Sequence, residues 1–287
     1  MKETTYLAIT PARDEESFLP GLIESMAAQT RLPLLWILID DGSRDATGRL
    51  MDDAAARYPW IRVHHILRDG PRDPGGEGVI MKYLPEADRN RVDFIFRVDA
   101  DISFGPNLAE SLMWEFVRNP KLGIASAVLY EPSADGWRMA GGPGFHTRGA
   151  TKMYSRECFR AIGGLTSGLG WDTIDEAKAA MLGFTTRSFA HIRARHHRPA
   201  GAAGGWVRAG LAPGIAAYQA GYSPLFMLAR AAYKVVEKPY GLRAALLLAG
   251  YFQGYLRGES RAADPTLIRF IRRHQHRRLM GLQTIWR

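Results

Sequence analysis

Two short β-prone runs, residues 4–10 (TTYLAIT) and 34–39 (LLWILI), enclose a stretch at 15–29 with apolar Phe18, Leu19, Leu22, Ile23 and Met26. That spacing predicts a helix. Strand, loop, helix and strand in this order close as a right-handed parallel crossover. The rhythm continues with a helix over 45–58, a strand over 61–67 and a buried strand over 93–98 (DFIFRV). Alternation over the first 130 residues predicts an α/β fold: an open sheet flanked by helices. Residues 69–78 (DGPRDPGGEG) read as a loop, and the dense glycines of 141–170 interrupt the rhythm. A helix returns over 172–182, and from 206 to about 279 the chain reads as helical and basic. The expected division is an α/β domain over 1–205 and a helical appendage over 206–287.

Two of the apolar strands end on acids. Ile39-Asp40-Asp41-Gly42-Ser43 puts two carboxylates where a strand meets a glycine turn, with Asp45 and Thr47 close behind. In open α/β sheets ligands bind at that edge, and a carboxylate there can accept hydrogen bonds from a ribose or a base. A turn plus helix cap accounts for Ser43 and Asp45 but not for the adjacent pair of acids. Val98-Asp99-Ala100-Asp101 repeats the arrangement two strands later. Two hard oxygen ligands so placed suit Mg²⁺ or Mn²⁺ bridging phosphates. At Gly170-Trp171-Asp172-Thr173-Ile174-Asp175-Glu176 a glycine-rich segment enters a helix with acids in its first turns. Asp172 as cap with Asp175 reaching back is one reading; a carboxylate base for an acceptor hydroxyl is the other. Arg193-Ala194-Arg195-His196-His197-Arg198, followed by glycines 201, 204 and 205, suits a diphosphate leaving group. A histidine there would complete a metal shell.

The net charge of +9 and pI near 9.8 favour an anionic partner: nucleic acid, an anionic membrane or a phosphorylated substrate. Cys158 is the single cysteine, which excludes an intrachain disulfide and a cysteine-based zinc site. The N-terminal residues lack the pattern of a signal peptide. No run of about 20 apolar residues occurs, so no membrane-spanning helix is expected.

With these pieces in order, over roughly residues 4–200, the chain resembles the family-2 glycosyltransferases of the GT-A fold. Thr10-Pro11-Ala12-Arg13-Asp14-Glu15-Glu16 is similar to the family's first-strand motif, and Asp40-Asp41-Gly42-Ser43-x-Asp45-x-Thr47 to its second. The resemblance implies donor contacts at Pro11, Arg13, Glu15, Asp41, Asp99 and Arg198, with Asp41 on the base or ribose. It implies a metal at Asp101, joined by Asp99 and His197, and a carboxylate base at Asp172, with Asp175 the alternative. Trp171 precedes Asp172 where many relatives carry Glu, and the Gln-x-x-Arg-Trp signature of processive synthases is absent. Transfer of one sugar by inversion is the expectation, from a nucleotide-sugar donor to a hydroxyl acceptor in cell-surface polysaccharide or lipid-linked glycan synthesis.

Apolar and aromatic residues after 221 are interrupted by Arg230, Lys234, Lys238, Arg243 and Arg257. Residues 257–287 hold eight arginines against Glu259 and Asp264. Such a composition suits a membrane surface, met from the cytoplasmic side through 222–287, with a lipid-linked acceptor. A packed helical subdomain or an oligomer contact would use the same residues. A nucleotidyltransferase lacks support, because 10–16 carries no glycine-rich basic signature. Nucleic-acid binding is not expected, since it leaves the acidic clusters repelling phosphate.

Overall fold

The structure, a computed structural model, describes residues 4–67, 77–198, 205–236, 240–259, 261 and 264–285. Most of the loop predicted over 69–78, and the glycines at 201 and 204, lie outside the described residues. At the centre β1 (Tyr6–Ala12) runs parallel to β2 (Leu35–Asp40) on one side and β4 (Phe94–Val98) on the other. Strand β3 (Ile61–His65) extends the parallel set beyond β2. Next to β4 the pattern changes. Strand β8 (Thr151–Ser155) lies antiparallel between β4 and β6 (Leu122–Ser133). Strand β9 (Thr185–His196) runs parallel to β6, and β5 (Ile102–Phe104) closes that end against β9. Strand β7 (Gly136–Met139) pairs with β6 to complete the nine strands found among the described residues.

Residue alternation along β1 and β2 explains why these strands are apolar throughout. Tyr6, Ala8, Trp36 and Leu38 face a core shared with α1 (Leu19–Ala27), α2 (Thr47–Arg57) and α5 (Leu108–Arg118). Leu7, Ile9, Ile37 and Ile39 face the opposite layer, with α3 (Glu77–Tyr83) and α6 (Arg156–Ala161). The short α4 (Glu86–Asn90) precedes β4. Helix α1 begins four residues later than its periodicity suggests, because the amides of Phe18 and Leu19 both donate to the Glu15 carbonyl in a turn. Glycine density over 141–170 conceals β8 and α6. Cys158 of α6 is fully buried, and a Cβ at Gly123 of β6 would stand 2.6 Å from its sulfur. Burial pushes that thiol up to about 12.

Helix α7 (Trp171–Met181) precedes β9, and among the described residues that strand is followed by α8 (Gly205–Gln219), α9 (Pro224–Lys234), α10 (Leu242–Leu256) and α11 (Pro265–Leu279). Helices α8 and α10 meet backbone to backbone. A Cβ at Gly214 would run into the Leu247 carbonyl, and one at Gly250 into that of Leu211. The Asp264 carboxylate caps α11, accepting from the amides of Thr266 and Leu267 at 2.8 and 2.9 Å. Leu267 and Ile271 of α11 share a core with Ile174 and Ala177 of α7. Among the described residues no helix is long and apolar enough to cross a membrane.

Candidate functional site

The parallel register sets Ala12 beside Asp40, and the Asp41 amide donates to the Ala12 carbonyl at 2.9 Å. The loops after β1 and β2 are thereby adjacent, and they interlock. Asp14, at φ 56°, accepts from the Arg44 amide at 2.8 Å, while its own amide donates to Ser43 Oγ at 3.1 Å. Glu16 accepts from the Ala46 amide, Asp45 from the Glu16 amide, and Thr47 Oγ1 from the Glu15 amide at 2.7 Å. Asp40 accepts from the Ser43 amide at 2.9 Å and lies 3.0 Å from His65 Nδ1. Four of the motif's acids thus hold the loops in place. Asp41 and Glu15, both about 3% exposed, are the remaining two acids of these motifs. Pro11 ends inside β1, and Arg13 lies 3.9 Å from Asp14.

Arg198 joins this edge to the next. Its guanidinium donates to Glu15 Oε1 and, through Nε, to Asp101 Oδ2 at 3.0 Å, and it lies over the Phe18 ring at 5.1 Å. Side chains alternate as β9 ends, so its last residue, His196, and His197 just beyond it part company. His196 Nε2 reaches Asp101 Oδ2 at 3.4 Å. His197 instead bonds Ser103 Oγ at 2.8 Å and stacks on Phe18. Burial alone would raise the pKa of Asp101; hydrogen bonds and charge from His196 and Arg198 outweigh it and hold the carboxyl below the usual range. Asp99 lies 2.7 Å from Arg97 Nη1, and the Arg97 guanidinium sits over the Trp171 ring at 4.6 Å.

The donor set fits a hard divalent cation in one respect: Asp99 and Asp101 present carboxylate oxygens at a single strand end, and Asp101 is held ionised. Among the described residues no three His, Cys, Asp or Glu side chains gather as a metal cage. Two carboxylates completed by phosphate oxygens are the arrangement Mg²⁺ and Mn²⁺ commonly accept.

Trp171 leads to the second part of the site. Gly170, at φ 83°, caps α7 and packs where a Cβ would be 2.8 Å from the Ala216 carbonyl oxygen. The cap reading of Asp172 and Asp175 does not hold, since no side chain caps this helix. Asp175 is fully buried, bonded by Lys152 Nζ at 3.0 Å and by the Tyr154 hydroxyl, and burial pushes its carboxyl up to about 6. Glu176 accepts from the amide and hydroxyl of Thr147, both at 2.6 Å, and lies 3.1 Å from His146 Nδ1. The other ring nitrogen of His146 is 3.7 Å from Asp172 Oδ2. Asp172, about a third exposed, borders a cleft of about 710 Å³ between α7 and the C-terminal helices.

Lys152 and His146 escape the sequence reading, which quotes Glu176 and His196 within their motifs but assigns the metal to His197. A lysine inside the short strand TKMYS is the one local signal, since a buried cation needs a carboxylate partner. Which acid supplies it depends on how β8 and α7 pack.

Residues 7–169 match the profile described as glycosyl transferase family 2. A stretch of 127 residues is 28% identical to an uncharacterized glycosyltransferase of Bacillus subtilis (strain 168), EpsJ, covering 44% of this chain and 34% of the relative. The chain therefore spans about a third of that relative's length. Among solved structures it is similar to the mannosyltransferase PcManGT from Pyrobaculum calidifontis in complex with GDP-Man and Mn²⁺, with a TM-score of 0.61 at 15% identity, over 90% of this chain and 89% of that one. It is also similar to S. aureus TarS 1-349 in complex with UDP-GlcNAc, with a TM-score of 0.57 at 14% identity, over 90% and 74%. The fold is GT-A.

Proposed function

The chain belongs to glycosyl transferase family 2, and from that premise we propose that it moves one sugar from a nucleotide-sugar donor to a hydroxyl acceptor with inversion. The observation that carries this reading is the meeting of Glu15, Asp41, Asp99, Asp101 and Arg198 at neighbouring strand ends, with Asp172 beyond Trp171 on the cleft side. Asp41 is assigned to the base or ribose, with Pro11, Arg13 and Glu15 shaping the same wall. Arg198 and Asp99 are assigned to the diphosphate end. Asp101 and Asp99 would hold Mn²⁺ or Mg²⁺; His196, rather than His197, is the imidazole in reach of Asp101. A bound divalent cation neutralises charge on the departing diphosphate. Asp172 accepts the proton of the acceptor hydroxyl as that oxygen attacks the sugar. Asp175 is spent on Lys152 and Tyr154 inside the core, which favours Asp172 for this role.

The helices over 222–287 are assigned to an anionic membrane surface. Helix α9 exposes Leu225 and Leu228, Val236 is exposed just beyond its end, and α10 exposes Leu242, Phe252 and Leu256. Arg243 and Arg257 are exposed among them. This supports a peripheral position, with the acceptor made for cell-surface or lipid-linked glycans.

A thermal-shift panel of UDP, GDP, dTDP and CMP with Mn²⁺ or Mg²⁺ tests the reading. One diphosphate nucleoside should stabilise the chain in a metal-dependent manner. Indifference to all four, with either metal, would overturn it.

A further inference from the structure

The geometry points to an amphiphile as the ligand of the cleft beside Asp172: a hydroxylated head bearing an anionic group, followed by an apolar chain. This deepens the reading above and rests on Asp172 marking the acceptor side. The cleft, about 710 Å³, is the size of a small-molecule site. Its walls are mostly apolar, with Pro213, Ala216 and Ala220 contributed by α8 and its end, and Phe226 by α9. Such walls gain when an apolar chain displaces water from them. A purely polar acceptor would leave that gain unused.

Two arginines, Arg230 of α9 and Arg278 of α11, also line the cleft. Among the described residues neither is in an ion pair, although Arg230 is only partly exposed. Arg230 lines the same cleft as Tyr222, Thr173 and Asp172. The cation and the acid therefore address one space. A guanidinium placed among apolar walls is well matched by a phosphate or carboxylate, which it can grip at two points. An anion at Arg230 leaves the neighbouring hydroxyl of the same head near Asp172.

The exit for the chain lies on α9 itself. Tyr233, at the rim of the cleft near the end of α9, is largely exposed, and so is Val236 just beyond that helix. A chain leaving the cleft there passes onto a surface that is already apolar.

Calorimetric binding to the full chain tests this with decyl phosphate, decyl glucoside and glycerol phosphate, each below its micellar concentration. Decyl phosphate should bind at least about tenfold tighter than either of the other two. Arg230→Gln and Arg278→Gln should each weaken decyl phosphate by about fivefold and leave decyl glucoside unchanged. Leu228→Glu, on the outer face, should leave decyl phosphate unchanged, which separates cleft binding from adsorption to the apolar surface. Equal affinity for the three probes would overturn the inference, and so would full decyl phosphate affinity in both arginine variants. A chain that binds decyl phosphate but responds to no nucleotide sinks sugar transfer and sustains the amphiphile site. The converse result sinks the amphiphile site alone.

Discussion

A carboxylate can take a proton from a substrate only where the substrate can reach it and where its charge is not already committed. Asp172 and Asp175, three positions apart on α7, differ on both counts. Asp172→Asn should reduce turnover by about a hundredfold or more, with the donor-induced thermal shift intact. Near-normal turnover in that variant would remove Asp172 from its role. His146, between Asp172 and Glu176, gives a second prediction. Burial would lower its pKa, as would the charge of Lys152. The hydrogen bond and charge of Glu176, with the charge of Asp172, prevail and raise it. Stability drawn from this pairing is complete below the ordinary histidine value of about 6.5 and is lost as pH rises through the higher folded value. Melting curves from pH 6 to 9 should show wild type losing its advantage over His146→Gln as the pH climbs. A constant gap across that range would mean that the ring does not titrate there.

At the level of elements, strands β1 to β4 and α2 are legible because their signal is local. Apolar runs at β1, β2 and β4 lead directly into acids or motif turns, and the helical period between them is plain. What stayed hidden was non-local. β8 finds its partners β4 and β6 across long loops, and nothing in TKMYS announces an antiparallel strand set among parallel ones. The site divides in the same way. Asp41, Asp99 and Asp101 are visible because a strand end fixes them, whereas the service of Asp14, Glu16 and Asp45 in locking two loops appears only when the loops meet. Helices α8 and α10 offer a test of pure packing. Gly214→Val would push a branched side chain into the backbone of α10, at a cost of about 1–3 kcal/mol. Denaturant unfolding should register that loss; an unchanged midpoint would mean that the two helices stand further apart.

Across the whole molecule, the C-terminal helices are tied to the sheet layer through Leu267 and Ile271 of α11 against Ile174 and Ala177 of α7. Deleting them would strip α7 of its cover, so membrane attachment is better probed by surface substitutions. Wild type should float with vesicles containing phosphatidylglycerol, and Leu228→Glu combined with Leu256→Glu should weaken partitioning by about tenfold. Equal flotation would dismiss this face as the contact. The lone thiol, finally, makes the chain its own stopwatch. Cys158 lies under β6 with its sulfur neither exposed nor ionised at neutral pH. An alkylating reagent can therefore mark only those chains in which α6 has lifted away. The pace of labelling in native buffer counts those openings, and a slower pace with donor present would measure how firmly the nucleotide clamps the sheet from its far edge.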